Sequence, residues 1–519
     1  MKKVALATAA VLAAVFFFLL ATLPPRPAAI PLDSVDPDLR SRTVRGAYHV
    51  HTTRSDGAGS KAEVAAAAAR AGMKFAIFTD HGDGTQSPDP PTYLNGVLCL
   101  DGVEISTNGG HYVAVDARPS PHPLGGEPSI VVEDVRRLGG FGIAAHPDHP
   151  GSELAWRDWD VPFDGVEWLN ADAEWRDERP ARVARALFDY LVRPAPALAS
   201  VFDRPIATLE RWDTLENRRS VVALAAVDAH GGARARVEGT PAFGIGPSYE
   251  ASFRSLSNRV IVERPLTGNA AQDARLLIDA VREGRVYSVV DAISPDAVLA
   301  LSDERGFEPA SALPGGAQAF TFTRANRRRI ELHAAAAPGA PPVPWVVSNW
   351  AGPRDAEPAA EAPAPVTGEG VPLPVGFDWR VEKDPLSSGR ISAAGDVVAL
   401  EFKLRADARA SQFVAAVSDS KGLPGVRRIL FRGRGTRPMR VSVQLRFSPD
   451  GARWTKSVYL EPAEQEVAVD VASMVPADRS NRAMPDLSTA QSILFVVDLV
   501  NARPGDGGGF TVSALRAVR

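Results

Sequence analysis

The sequence predicts an α/β domain with a mostly parallel sheet, barrel or open, followed by a small β unit and a C-terminal all-β sandwich. Three observations predict this. From Arg45 to about Asp291, strand-like apolar runs alternate with helical patterns. After Asp291 the helical patterns stop and short strand-like runs follow. Beyond 351–375, a stretch rich in Pro, Ala, Gly and Glu that reads as a linker, period-two alternation dominates.

At the N-terminus, Lys2 and Lys3 precede an uncharged, mostly apolar run from Val4 to Leu23. A helix of about twenty residues spans a bilayer core of about 30 Å, and the paired lysines direct the rest of the chain outward. Residues 1–25 are therefore expected to be an uncleaved signal anchor, with a cleaved signal peptide as the rival. The run is longer than an ordinary signal-peptide core and leads into Leu23-Pro24-Pro25-Arg26-Pro27 without a persuasive cleavage site. Either reading exports the body to the cell envelope. It would be held in the inner membrane facing the periplasm, or be periplasmic or secreted if cleaved. Residues 26–44 read as a Pro/Asp-rich tether.

The α/β segment, 45–291, opens with Gly46–Thr52 as its first strand. Lys74–Thr79, Val97–Ile105, His111–Val115, Phe141–Ala145, Gly165–Leu169 and Val221–Val227 follow as strands. Helical patterns cover Ser60–Ala71, Ser129–Leu138, Arg179–Leu191 and Ala270–Arg282. Ser60 with Glu63 has capping-box spacing, and Gly72 sits where a glycine stop belongs. Residues 292–350 read as the small β unit and 376–519 as the sandwich. Within the sandwich, Val441, Val443, Leu445 and Phe447 alternate with Ser442, Gln444 and Arg446, as in a half-buried strand, and Asp450-Gly451 reads as its turn.

Composition excludes several classes. A net charge of −4 over 519 residues offers no basic surplus for an obligate nucleic-acid partner. A single cysteine, Cys99, excludes an internal disulfide and a cysteine-based zinc site, and it reads as core. The nine histidines are uneven: only His333 lies outside residues 49–230.

The histidines fall with carboxylates at the ends of apolar runs. The first strand leads into Tyr48-His49-Val50-His51, where residues i and i+2 share a face and can hold one ion together. Asp56 follows in the turn Ser55-Asp56-Gly57. Later runs end in Thr79-Asp80-His81, Gly102-Val103-Glu104, Ala145-His146-Pro147 and Val227-Asp228-Ala229-His230, while His111 opens its run instead. Imidazole and carboxylate together suit Mn, Zn or Fe. Nine candidate ligands exceed one ion's needs and point to two or three divalent transition-metal ions, with Glu104 as the natural bridge. Such ions would generate a hydroxide nucleophile near neutral pH and neutralise charge on phosphoryl oxygens. No G-x-S-x-G sequence offers a serine alternative.

In this order, His-x-His-Thr-x-x-Ser-Asp-Gly, Thr-Asp-His, Gly-Val-Glu-Ile-Ser, a later His, His-Pro and Asp-x-His resemble the PHP (polymerase and histidinol phosphatase) superfamily over about residues 45–291. The export segment and C-terminal β domains look closest to its CehA/McbA-like metallohydrolases. The resemblance implies a distorted (β/α)7 barrel with a trinuclear metal site. By matching motif, His49, His51, Glu104 and Asp228 would hold the first ion. Asp56, His81 and His230 would hold the second, and Glu104, His111 and His146 the third. The reaction implied is phosphoester hydrolysis, with carbamates or other esters as substrates of a few members.

Further residues carry weaker expectations. His149 could protonate a leaving group, the alternative being an ordinary loop histidine. Asp80 could orient a ligand imidazole, and Glu167 could do the same. His122 could touch substrate or simply be solvated. Trp156, Trp159, Trp168 and Trp175 read as core packing or as pocket walls. Arg204, Arg211, Arg234 and Arg236 could bind a phosphate, their default being a solvated surface. The sandwich resembles galactose-binding-like jelly rolls through Phe431-Arg432-Gly433-Arg434-Gly435 and Arg453-Trp454, so a glycan could bind there, the default being a stabilising or spacing domain without ligand.

The leading expectation is a metal-dependent phosphoesterase with a small phosphoester substrate. Its nearest rival keeps the metals but cleaves a carboxylic ester, carbamate or amide. A reading from another class is an envelope protein that binds glycan without catalysis.

Overall fold

The computed structural model describes residues 2–232, 246–314, 316–324, 326–335, 342–352, 371–373, 378–406, 411–478 and 483–519, with backbone alone for 2–11. The chain divides into two compact units, Met1–Pro119 with Glu127–Glu357, and Ser120–Gly126 with Pro358–Arg519. Arg234, Arg236 and most of the 351–375 linker lie outside the described residues.

The first unit is built on one large mixed sheet. Its strands begin with β1 (Thr43–Tyr48), β2 (Phe75–Phe78), β3 (Thr92–Leu94), β4 (Val97–Thr107) and β5 (Gly110–Val115). They continue with β6 (Phe141–Ala144), β7 (Gly165–Asn170), β8 (Val222–Ala226), β9 (Ser257–Ile261) and β10 (Val286–Val289). A separate pair, β11 (Leu299–Ser302) and β12 (Gly306–Pro309), precedes β13 (Gln318–Arg324), β14 (Arg327–Ala335) and β15 (Pro342–Ser348). The order is β13-β14-β15-β10-β9-β1-β2-β4-β5-β6-β7-β8, with β3 on β4. The segment read as a small β unit therefore contributes three strands to this sheet.

The sheet is less parallel than the sequence suggests. β1, β2 and β4 run parallel, as do β6, β7 and β8. β5 is antiparallel to both β4 and β6, and β9 is antiparallel to β1. The reversal at β5 explains why His111 opens its apolar run. The start of a reversed strand lies at the same rim as the ends of its neighbours, with His111 paired to Ser106.

At the other edge, β8 returns to β1. Val227 N–H donates to Tyr48 O at 3.0 Å, and His51 N–H donates to Ala229 O at 3.1 Å. Two buried asparagines complete the seam. Asn258 bonds both backbone groups of Ala225, and Asn349 both of Ala223, at 2.7–3.0 Å. Their amides supply the paired donor and acceptor that a neighbouring strand would otherwise provide.

The helices are α1 (Lys2–Ala21), α2 (Pro37–Arg42), α3 (Lys61–Arg70), α4 (Pro128–Arg137), α5 (Ala171–Arg176), α6 (Pro180–Tyr190), α7 (Pro194–Ala199), α8 (Ile206–Leu215), α9 (Tyr249–Ser255) and α10 (Ala270–Arg282). Ser60 and Glu63 form the capping box of α3. On α10, Leu277 and Ile278 pack with Phe75, Ile77, Leu98 and Leu224 of the sheet. No helix among the described residues is long and apolar enough to cross a membrane. The stretch read as a tether packs onto this unit: Ile30 is buried, and Ala28 N–H donates to Ile293 O at 2.8 Å.

Beneath the outer strands lies a buried ion network. Arg329, fully buried among the rings of Trp212, Phe322 and Trp350, bonds Glu331 at 2.5 Å and Asp213 at 3.1 Å. Glu331 also accepts from Arg204 at 2.9 and 3.0 Å. Arg204 is thus committed to this network rather than to a substrate phosphate, while Arg211 lies over Trp159. Glu331→Leu leaves Arg329 and Arg204 short of a carboxylate and is expected to cost about 3–5 kcal/mol. Thermal unfolding of the first unit measures it.

The second unit holds two six-stranded antiparallel sheets. Its strands are β16 (Val371–Pro372), β17 (Arg380–Lys383), β18 (Ser388–Ala394), β19 (Val397–Lys403), β20 (Phe413–Asp419) and β21 (Arg428–Gly435), then β22 (Met439–Phe447), β23 (Arg453–Leu460), β24 (Gln465–Asp470), β25 (Val475–Pro476), β26 (Ala490–Asp498) and β27 (Gly507–Val518). One sheet runs β18-β19-β27-β21-β24 with β16 on β27, the other β17-β20-β26-β22-β23-β25. They pack face to face as a β-sandwich, with Phe431 of β21 edge-on to Phe495 of β26 at 5.2 Å.

β22 departs from the half-buried expectation. Ser442 and Gln444, on its polar face, are buried as well. Ser442 Oγ bonds Asn501, while Arg440 and His122 flank the ring of neighbouring Tyr459 at 5.7 and 5.9 Å. His122 is buried in this unit, neither solvated nor at the histidine cluster.

Candidate metal centre

All nine residues read as ligands come together at one rim of the first unit's sheet. Glu104 lies at their middle, 1% exposed. Its Oε1 is 2.8 Å from His111 Nδ1 and 2.8 Å from His146 Nε2. Its Oε2 is 3.2 Å from His49 Nε2, 3.3 Å from His51 Nε2 and 3.2 Å from His81 Nδ1. One carboxylate thus faces five imidazoles, drawn from the rim ends of β1, β2, β5 and β6.

Asp228, just past β8, closes the deep side, with Oδ1 3.5 Å from His49 Nε2 and 3.3 Å from His51 Nε2. Asp56 closes the open side, 3.3 Å from both His51 Nδ1 and His230 Nε2 and 3.5 Å from His81 Nε2. The turn that brings Asp56 there requires Gly57: a Cβ at that position would lie 2.5 Å from the His51 carbonyl. The cluster grades from fully buried His49 to Asp56, whose side chain is half exposed.

Four sets of three residues have ligand atoms close enough to hold an ion: His49, His51 and Glu104; His49, His146 and Asp228; His51, Asp56 and His230; and His81, Glu104 and His111. These regroup the expected ligand sets, with His51 beside His230 and His81 beside His111. Three atoms of the second set, His49 Nε2, His146 Nδ1 and Asp228 Oδ1, are buried without a properly oriented hydrogen-bond partner. Orphaned polar atoms at this depth cost free energy unless a cation or proton meets them. His49, His146 and Asp228 also adopt positive φ, at 65°, 29° and 41°. Non-glycine residues in that region are strained by about 1–3 kcal/mol each, a pattern that clusters at functional sites.

The electrostatics agree. Burial opposes charge on His49, yet Asp228, Glu167 and Glu104 raise its pKa well above the ordinary value. Against the same burial, Asp228 and Glu104 push His51 up to about 10. Burial would raise the carboxyls of Glu104 and Asp228, but the surrounding imidazoles, His49 foremost, hold both well below the usual range. The pocket therefore strongly favours positive charge, and its donor set suits divalent transition metals.

Outer contacts fix the imidazoles. Glu167 Oε1 accepts from His49 Nδ1 at 2.6 Å, and Oε2 accepts from His146 N–H at 2.7 Å and Asn170 Nδ2 at 2.9 Å. The first contact directs His49 Nε2 into the cluster. Glu167→Gln is expected to weaken metal retention about 10–100-fold, measured by competition with a chelator. Asp80 does not orient an imidazole directly. It accepts from Thr52 N–H, Thr52 Oγ1 and Ser55 Oγ at 2.7–2.8 Å, bracing the turn that carries Asp56.

His149 stands beside the cluster, its ring 5.6 Å from that of His146. Gly151 N–H donates to its Nδ1 at 2.9 Å, which leaves the proton on Nε2. Burial and then His146 lower its pKa. Trp156 and Trp168 are core, whereas Trp175 lines a cavity beside Asp56, Asp228 and His230.

Two contributors escaped the sequence reading. Asn170 donates to Asp228 Oδ2 at 3.1 Å, and Tyr249 OH donates to His51 O at 2.9 Å. Asn170 carries the signal that marked the ligands, a polar residue where an apolar strand stops. Tyr249 reaches the site from α9, far along the chain, and no local pattern announces it.

No protein-family model matches the chain, and no curated protein matches it in sequence. Solved structures do. A two-domain protein from Bacteroides vulgatus containing a predicted PHP-like metal-dependent phosphoesterase is 11% identical, with 87% of this chain and 92% of that one covered at a TM-score of 0.28. A candidate metal-dependent phosphoesterase from Bifidobacterium adolescentis is 13% identical, with 40% and 94% covered at 0.25. The family 11 carbohydrate-binding module of Clostridium thermocellum, solved with a mixed-linked tetrasaccharide, is 13% identical, with 28% and 89% covered at 0.22.

Proposed function

We propose that the protein is a metal-dependent phosphoesterase of the PHP type. The curled sheet of the first unit serves as its distorted barrel, and the cluster holds two or three divalent ions. The observation that carries this reading is the position of Glu104, one buried carboxylate facing five imidazoles, with Asp228 and Asp56 closing the set. When bound, such ions lower the pKa of water to near neutrality and neutralise charge on phosphoryl oxygens.

The chain's own residues do the rest. Glu167 and Asn170 hold the ligand side chains in register. Asp80 and Gly57 hold Asp56 over the open side, where solvent and substrate arrive. His149, neutral with its proton on Nε2, would offer a hydrogen bond to a phosphoryl or leaving oxygen rather than transfer that proton.

Metal analysis of protein purified without chelator, joined to assays on aryl phosphate mono- and diesters and on aryl carboxylic esters, tests this. Two to three ions with phosphoester turnover is the expected result. One ion or fewer after reconstitution with Mn or Zn overturns the multinuclear reading. Turnover of carboxylic esters alone favours the ester, carbamate or amide hydrolase instead.

The N-terminal run would export the enzyme to the cell envelope. Fractionation with N-terminal sequencing tests that placement, and recovery in the cytosol with Met1 retained refutes it. For the sandwich, a glycan would be received in the cleft lined by Trp454, Met474, Met484 and Arg428.

A further inference from the structure

We propose that the cavity beside the metal cluster receives an uncharged, flat apolar group of the substrate, about one aromatic ring in size. The proposal rests on the phosphoester reading and names the substrate class it implies, an aryl phosphate. The cavity measures about 270 Å³, just below the range of ordinary ligand pockets, which run from about 300 to 1,000 Å³. Asp56, Asp228 and His230 of the cluster line it together with Trp175, Leu198 and Phe202. A phosphoryl group held at the cluster would bring its ester substituent within reach of those three apolar side chains.

This wall is built onto the cluster. Asn170 donates to Asp228 at 3.1 Å and to Glu167 at 2.9 Å, while its Oδ1 accepts from the backbone of Asp172 and Ala173 as the N-cap of α5. The helix carrying Trp175 thus starts on a residue bonded to a candidate ligand. One turn later, Asp172 fixes the Trp175 indole through Nε1 at 2.9 Å and engages Arg176 Nε at 2.5 Å. The same carboxylate that positions the ring also meets the nearby cation. The Arg176 guanidinium also lies over the Trp175 ring, 5.0 Å from its centre, so the wall is an indole backed by a carboxylate-paired cation, with Phe202 almost fully buried beside it. An aromatic ring fits such a surface, because stacking and apolar burial both reward it without leaving a polar group unpaired.

The experiment uses the metal-loaded full chain. Binding of phenylphosphonate and methylphosphonate is measured by calorimetry, and kcat/KM for phenyl phosphate and methyl phosphate is measured alongside. Both are repeated in Trp175→Ala and Trp175→Phe with metal content checked. Comparing ratios between variants cancels the intrinsic reactivity of the two leaving groups. The wild type is expected to prefer the phenyl compound in binding, and Trp175→Ala to cut the phenyl-to-methyl ratio about tenfold. Trp175→Phe should restore most of it. Equal binding of the two phosphonates, or a ratio unmoved in Trp175→Ala, overturns the assignment of the cavity while leaving the phosphoesterase reading intact. Failure of both phosphonates to bind, with no phosphate ester turned over, overturns both.

Discussion

Glu104→Gln is expected to abolish turnover, by at least about 10³-fold, and to lower the metal content by at least one ion per chain. The change keeps the shape of the side chain, so packing around this fully buried position is preserved. What it removes is the negative charge shared by His49, His51, His81, His111 and His146. It also replaces one acceptor oxygen with an N–H donor, which faces either imidazole nitrogens or a cation. Loss of an outer-shell partner costs roughly 10–100-fold and loss of one oxyanion donor roughly 10²–10³-fold. A residue that holds the centre together should exceed both. His149→Ala is the informative comparison. It should slow turnover by at most about 10²–10³-fold through the loss of one hydrogen-bond donor, with metal content unchanged. Elemental analysis of the two variants separates the roles, and wild-type metal content in Glu104→Gln would remove Glu104 from the centre.

Much of this was legible because strand ends announce themselves. Each of the seven expected strands of the α/β segment has a counterpart among β1 to β8. The polar residues where those runs stop arrive at one rim because parallel strands end on the same side. His111 resisted that logic, since a run that opens with a histidine reads as facing the opposite rim. Its signal was present in Asn108-Gly109, a hairpin dipeptide between two apolar runs, and the two strands do pair across it, with Thr107 opposite Gly110. Gly110 could not be otherwise: it has φ of 111° and would place a Cβ 2.3 Å from Ala155 O.

Other features were not legible because they depend on partners distant in sequence. The second-unit strand β22 alternates cleanly, yet both of its faces are buried. The pattern of one strand cannot report what covers its polar side. Asp80 lies beside a candidate ligand in sequence but turns to Thr52 and Ser55, since residues i and i+1 of an extended chain point to opposite faces. His122 falls in the histidine-rich stretch and nonetheless belongs to the sandwich. In each case local spacing set which residues were polar or apolar, while long-range packing set what they touched.

Removing metal is expected to destabilise the first unit far more than the second. The cluster concentrates Glu104, Asp228 and Asp56 with six or more imidazoles in a largely buried volume, and its backbone carries three residues in a strained conformation. Without cations, the mutual repulsion of those carboxylates and the orphaned atoms of His49, His146 and Asp228 must be met by protons or water. Binding to the folded state alone stabilises by about 2.7 kcal/mol per site at a free metal concentration one hundred times the dissociation constant. Two ions would therefore contribute about 5 kcal/mol, a large share of a domain's ordinary stability of about 5–15 kcal/mol. In a scan of the chelated protein, the transition of the first unit should move to lower temperature and return when Mn or Zn is restored. The transition of the sandwich, which contributes no ligand, should stay in place and serve as the internal reference. Glu104→Gln should abolish most of the metal-dependent shift. A first-unit transition that ignores both chelator and added metal would show that the cluster is satisfied by protons, and would remove the basis for any metal-dependent reaction here.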